Sequence, residues 1–160
     1  MCVNGGQGGE VEGTWSASIE WLVQTLTPQC PGLGFSMGGT VAIRAADEPT
    51  VESIIGLAPW IPSRLPLDAV AGKRLVVLHG LLDRWLPGVP GVSPTVSRRG
   101  FDRALAAGAH GTYTLIPGAL HGIALRAHWG RPIRLPRARR WAELVAEELL
   151  SFGSRRSGSP

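Results

Sequence analysis

Apolar positions along this chain change period several times, and each change marks an element. In 15–26, "WSASIEWLVQTL", residues Trp15, Ile19, Leu22, Val23 and Leu26 fall on one helical face, which predicts an amphipathic helix ended by Thr27-Pro28. A short apolar step, "CPGLGF", leads to Ser36, and "MGGTVAIRAAD" then reads as a helix of small residues that stops before Pro49. "VESIIGLAP" is a short, β-branched apolar run, the pattern of a strand buried on both faces. "KRLVVLHG" (73–80) repeats that pattern, and "GTYTLIPG" (111–118) repeats it again. Between these two runs lie a proline- and glycine-rich loop, "LLDRWLPGVPGVSPTVSRRG", and a helix, "FDRALAAGA". A last helix, "RWAELVAEELLSF", carries Trp141, Leu144, Val145 and Leu149 at helical spacing. The expected domain spans 1–153, followed by a polar, disordered tail at 154–160.

Strands alternating with helices predict an α/β fold, a mostly parallel sheet flanked by helices. Composition agrees: 44% hydrophobic and 18% charged residues suit a globular chain rather than a disordered one. The formal net charge is +4, and arginine supplies nearly all the positive charge, since Lys73 is the single lysine. "RPIRLPRARR" has no nucleic-acid motif beside it and reads as a solvated surface, so no nucleic-acid partner is expected. Cys2 and Cys30 show neither metal-ligand spacing nor a paired framework. "MCVNGGQGGE" lacks the basic-then-apolar pattern of a signal peptide, and no apolar run is long enough to span a bilayer. These features predict a cytoplasmic protein with no membrane partner.

Ligands of parallel α/β sheets bind beyond the carboxyl ends of the strands, so chemistry-bearing side chains should sit just after each apolar run. Ser36 follows the first run, Asp83 follows "RLVVLHG", and His121 follows "YTLIPGAL". A serine is a poor nucleophile until a base lies within hydrogen-bond reach, and that base needs an orienting acid. "GFSMG" is a G-x-S-x-G pentapeptide, and the chain order Ser, Asp, His is the order that accompanies it. Gly34 and Gly38 lack the β-carbon that would block a sharp strand-to-helix turn, and the Met37 N–H at the helix start can donate to an oxyanion.

With these residues the chain resembles the carboxyl-terminal part of an α/β-hydrolase, over roughly residues 3 to 152. "LGFSMGGTVAIRAA" is similar to the family's nucleophile elbow and following helix, "LVVLHGLLDRW" to its acid-bearing turn, and "IPGALHG" to its histidine loop. "LAPWIP" at 57–62 resembles the stretch after the intervening strand. The resemblance implies a serine hydrolase acting on a small-molecule ester or acyl substrate without a cofactor or metal. Its roles carry over as Ser36 the nucleophile, His121 the general base and acid, and Asp83 the orienting acid. The family's second oxyanion donor comes from a His-Gly loop after an earlier strand, and nothing before residue 34 offers one. A truncated α/β-hydrolase fold is therefore expected, without its first three strands and most or all of the fourth. The elbow strand would then be a sheet edge, open to oligomer formation.

Other residues divide by position. Asp47, Asp68 and Asp102 fall in a helix end, a loop and a helix, so only Asp83 follows a strand. His79 ends a strand and reads as a packed or hydrogen-bonded residue, while His110 and His128 read as loop or surface residues. Trp60 and Trp85 follow strand ends, where they are candidates to line an acyl pocket or to serve as partly exposed packing. Trp15, Trp21 and Trp141 read as helix-face core. Two functions stay open: an ester-cleaving serine hydrolase, or a non-catalytic hydrolase remnant that at most binds a partner.

Overall fold

The computed structural model describes residues 32–84, 91–126 and 132–156. The expected helix at 15–26, with Trp15 and Trp21, lies outside the described residues, as do Trp85 and His128. Four parallel strands form the main sheet: β1 (Gly32–Phe35), β2 (Ser53–Leu57), β3 (Arg74–Gly80) and β4 (His110–Ile116). They lie in sequence order, β1-β2-β3-β4, with Leu33 beside Ile55, Ile55 beside Val76, and Val76 beside Thr112. Helix α1 (Met37–Ala45) connects β1 to β2, and α2 (Pro94–Ala106) precedes β4. A short 3-10 turn, Asp68–Val70, lies between β2 and β3. A small antiparallel pair, β5 (Ala124–Arg126) and β6 (Pro132–Arg134), follows β4, and α3 (Ala138–Arg156) comes last.

The apolar runs of β2 and β3 are continuous because both sheet faces are covered. Successive side chains on a strand point to opposite faces. Ile54, Leu75 and Val77 accordingly pack in one cluster with Ala42 and Ile43 of α1 and Phe101 and Ala104 of α2. Ile55, Val76 and Leu78 pack in the other with Trp141 of α3. Helices on both faces of a parallel sheet make a three-layer α/β architecture. Complete burial of each such aliphatic side chain is worth about 1.5–3 kcal/mol.

Three expectations are corrected. Helix α2 starts at Pro94, well before "FDRALAAGA", because Ser93 takes the cap position and Pro94 the first helical one, where its missing N–H costs nothing. β4 does not repeat the two-sided burial of β2 and β3: it forms an edge of the described sheet, and most of its residues are exposed or half-buried. The arginine-rich segment read as surface is exposed at Ile133 and Arg134, where it forms strand β6. Finally, α3 continues through Arg156, into the tail expected to be disordered.

Candidate active site

Ser36 is the residue between β1 and α1, and its backbone is strained, with φ 53° and ψ −117°. A side-chain-bearing residue costs on the order of 1–3 kcal/mol in such a region and stays there only when its surroundings hold it. Three hydrogen bonds do so. The Ser36 N–H donates to the Leu57 carbonyl at 2.9 Å, and the Ser36 carbonyl accepts from the N–H groups of Gly39 and Trp60, each at 3.0 Å. Gly34 is needed for the same turn, because a β-carbon there would lie 2.2 Å from the Gly38 carbonyl oxygen. The elbow expected at Gly34–Gly38 is thus present as a tight strand-to-helix turn. Met37 opens α1, so its N–H is in the first turn, where amides lack an intrahelical acceptor and the helix dipole favours negative charge.

Asp83 and His121 come from separate loops that are fastened together at the ends of β3 and β4. The Leu81 N–H donates to the Ile116 carbonyl at 3.0 Å and the Leu82 N–H to the Ala119 carbonyl at 2.9 Å. Gly80 permits this approach, since a β-carbon on it would sit 2.4 Å from the Leu120 carbonyl oxygen. The result is a hydrogen bond of 2.7 Å between His121 Nδ1 and Asp83 Oδ2, with both residues buried. Ser36 adjoins this pair through its neighbour, as the Phe35 and His121 rings lie 4.8 Å apart between centroids. Among the described residues, no hydrogen bond joins the Ser36 hydroxyl to His121. The structure therefore pairs two of the three predicted side chains directly, and the residue before the third, Phe35, packs on His121.

Asp83 has further partners. Its Oδ1 accepts the Val92 N–H at 3.1 Å, and its Oδ2 lies 3.0 Å from Nε2 of His79. Burial alone, the largest influence, would raise the pKa of this carboxyl. Hydrogen bonds from His121 and His79, and the charge those rings carry when protonated, outweigh it and hold the group below the ordinary 3.8. Asp83 is thus kept as an acceptor for imidazole N–H. His79 is fully buried at the end of β3, as its reading as a packed or hydrogen-bonded residue expects. Its contact with Asp83 had one sequence signal, a spacing of four residues.

Exposed apolar residues neighbour the candidate residues: Met37 follows Ser36, Leu82 precedes Asp83, Ile123 lies two positions after His121, and Trp60 is bonded to the Ser36 carbonyl. Trp60 is fixed by its own N–H bond to Ser36 and by the Thr40 hydroxyl, which donates to the Trp60 carbonyl. His110, expected at the surface, is exposed at the start of β4. Among the described residues, no group of three or more His, Cys, Asp or Glu side chains is arranged to hold a metal ion, and no helix is long and apolar enough to cross a membrane.

No family model matches the sequence, and no curated protein matches it. Solved structures do match. SOBER1 of Arabidopsis thaliana aligns at 20% identity over 71% of this chain and 55% of its own, with a TM-score of 0.50. A Bacillus cereus carboxylesterase aligns at 19% identity over 67% of this chain and 51% of its own, with a TM-score of 0.51. A sugar hydrolase (YeeB) from Lactococcus lactis aligns at 17% identity over 95% of this chain and 74% of its own, with a TM-score of 0.63. This chain therefore spans little more than half the length of the first two. The parallel four-stranded sheet, its three flanking helices and these neighbours give the chain an α/β-hydrolase fold.

Proposed function

We propose that this chain is a serine hydrolase that cleaves a small-molecule ester or related acyl bond through an acyl-enzyme. The observation that carries the reading is the 2.7 Å Asp83–His121 hydrogen bond, made through Nδ1, which leaves Nε2 of His121 clear of Asp83 on a ring packed against Phe35, the residue before Ser36. In this reading Ser36 Oγ attacks the acyl carbon while His121 Nε2 takes its proton. The carbonyl oxygen becomes an oxyanion and accepts the Met37 N–H, then the intermediate collapses as His121 returns the proton to the leaving alcohol. Water repeats the sequence on the acyl-enzyme and releases the acid. Asp83 keeps a proton on His121 Nδ1 throughout, so that Nε2, facing away from the carboxylate, is the nitrogen that takes and returns the proton. Met37 and Trp60 offer apolar surface to the acyl group, and Trp85 is a further candidate for that wall. The similarity to a carboxylesterase supports the same reaction class.

A fluorophosphonate probe tests this reading. The folded chain is expected to be labelled at Ser36, and Ser36→Ala is expected to abolish labelling and hydrolysis of p-nitrophenyl butyrate. Folded protein that takes up no probe overturns the reading. A second reading, a non-catalytic remnant, is favoured by one observation: β1, which carries Ser36, is an edge of the described sheet. That reading predicts no turnover and self-association through the edge, and an active monomer excludes it.

A further inference from the structure

Asp83 Oδ2 serves two imidazoles, and their ring nitrogens are used in opposite senses. His121 approaches through Nδ1 at 2.7 Å. His79 approaches through Nε2 at 3.0 Å, and the same Nε2 lies 2.9 Å from the Val92 carbonyl oxygen. Both neighbours of His79 Nε2 are acceptors, so that nitrogen must carry a hydrogen and share it between them. The other ring nitrogen, Nδ1, is buried with no hydrogen-bond partner, so a hydrogen placed there would be an orphaned donor. Geometry thus selects the Nε2–H tautomer of His79, and its basic nitrogen, Nδ1, is buried where no substrate reaches it.

We propose that His79 is a positioning residue for the Asp83–His121 pair. Its Nε2–H and the Val92 N–H grip the two carboxylate oxygens from separate segments, and the Val92 carbonyl ties those segments together. An aspartate carboxyl rotates easily about its last bond. With Oδ1 on Val92 and Oδ2 on His79, that rotation is stopped where Oδ2 also faces His121 Nδ1. The His79 ring is itself held flat, stacked on Tyr113 with centroids 6.3 Å and planes 18° apart, and the Tyr113 hydroxyl donates to the Pro94 carbonyl at 2.9 Å. The titratable and charged groups around this assembly are His121 and Asp83 themselves, Tyr113 on β4, and Arg98 and Asp102 on α2. Burial, the largest influence, keeps the Tyr113 hydroxyl above its ordinary 10.0, and Arg98 lies over the Tyr113 ring while paired to Asp102. His79 therefore acts through Asp83 and never touches the substrate.

The catalytic consequence rests on the serine-hydrolase reading, but the contact can be read without it. In protein labelled with nitrogen-15, long-range proton–nitrogen correlation should show His79 with its proton on Nε2. The same spectra should show a low-field His121 Nδ1–H that is kept in His79→Gln and shifted or broadened away in His79→Leu. With p-nitrophenyl butyrate, His79→Leu should lower kcat about 10- to 100-fold, the scale of one buried hydrogen bond to a charged group, and leave KM unchanged. His79→Gln, whose amide can supply a donor in place of Nε2–H, should recover most of the loss. A proton on Nδ1, a doubly protonated ring, an unchanged His121 signal in folded His79→Leu, or a kcat loss that folded His79→Gln does not restore, each overturns the proposal. Should the wild-type chain neither turn over the ester nor take up the probe, the serine-hydrolase reading alone falls, and the two spectra still decide the role of His79.

Discussion

Asp83 is where sequence and electrostatics meet. The sequence singles it out as the aspartate that follows a strand, and the fold surrounds it with donors: the Val92 N–H, His79 and His121. Its depressed pKa links folding to pH with a definite sign. A carboxyl that holds its proton less tightly when folded stabilises the fold above its ordinary value of 3.8, and that contribution is lost as pH falls through the lower folded value. Asp83→Asn is expected to be less stable than wild type near neutrality, with the gap narrowing below about pH 4. Denaturant midpoints measured across that range check it, and a gap that stays constant into strong acid contradicts it. The same substitution should lower kcat about 10⁴-fold, because an amide in place of the carboxylate no longer enforces the Nδ1–H tautomer of His121. Beyond a spacing of four residues, nothing in the sequence signalled the contact between His79 and Asp83. It depends on the rotamer of a buried ring and on the backbone at Val92, which meets the site from nine residues beyond Asp83.

Among the elements, β2 and β3 were plain in the sequence because a run such as "RLVVLHG" has no polar side to expose. β4 follows a similar composition but lies at an edge, and only pairing decides which of two such runs is central. β5 and β6 are three residues each, and no periodicity can show in so short a stretch. The start of α2 was signalled by Ser93-Pro94, yet prolines elsewhere in that loop mask a single proline acting as a helix start. α3 packs on one sheet face, and Trp141 is its fully buried anchor against Ile55, Val76 and Leu78. Trp141→Ala should cost about 3–5 kcal/mol through the cavity it leaves. A shift in the chemical-denaturation midpoint measures this, and a loss below 1 kcal/mol would show that α3 contributes little to the fold.

At the scale of the molecule, the consequence of the β1-β2-β3-β4 order is that the strand bearing Ser36 is an edge of the described sheet. An edge strand presents unpaired backbone donors and acceptors to other chains. Concentration-dependent self-association is therefore expected, and sedimentation velocity across a concentration series checks it. A single monomeric species at every concentration argues against an open edge.

The sequence by itself determined the parallel α/β class and the strand-to-helix turn at Gly34–Gly38, and it picked out Ser36, Asp83 and His121 as candidates, because each follows from local periodicity, glycine placement or position after a strand. Tertiary structure alone decided three further matters. It strains Ser36 by bonding its backbone to Leu57, Gly39 and Trp60. It fastens the Asp83 and His121 loops together through the close approach at Gly80. It also sets a second histidine against the same carboxylate. Each of these is a contact between segments distant along the chain, and which distant segments meet is settled only when the whole sheet has packed.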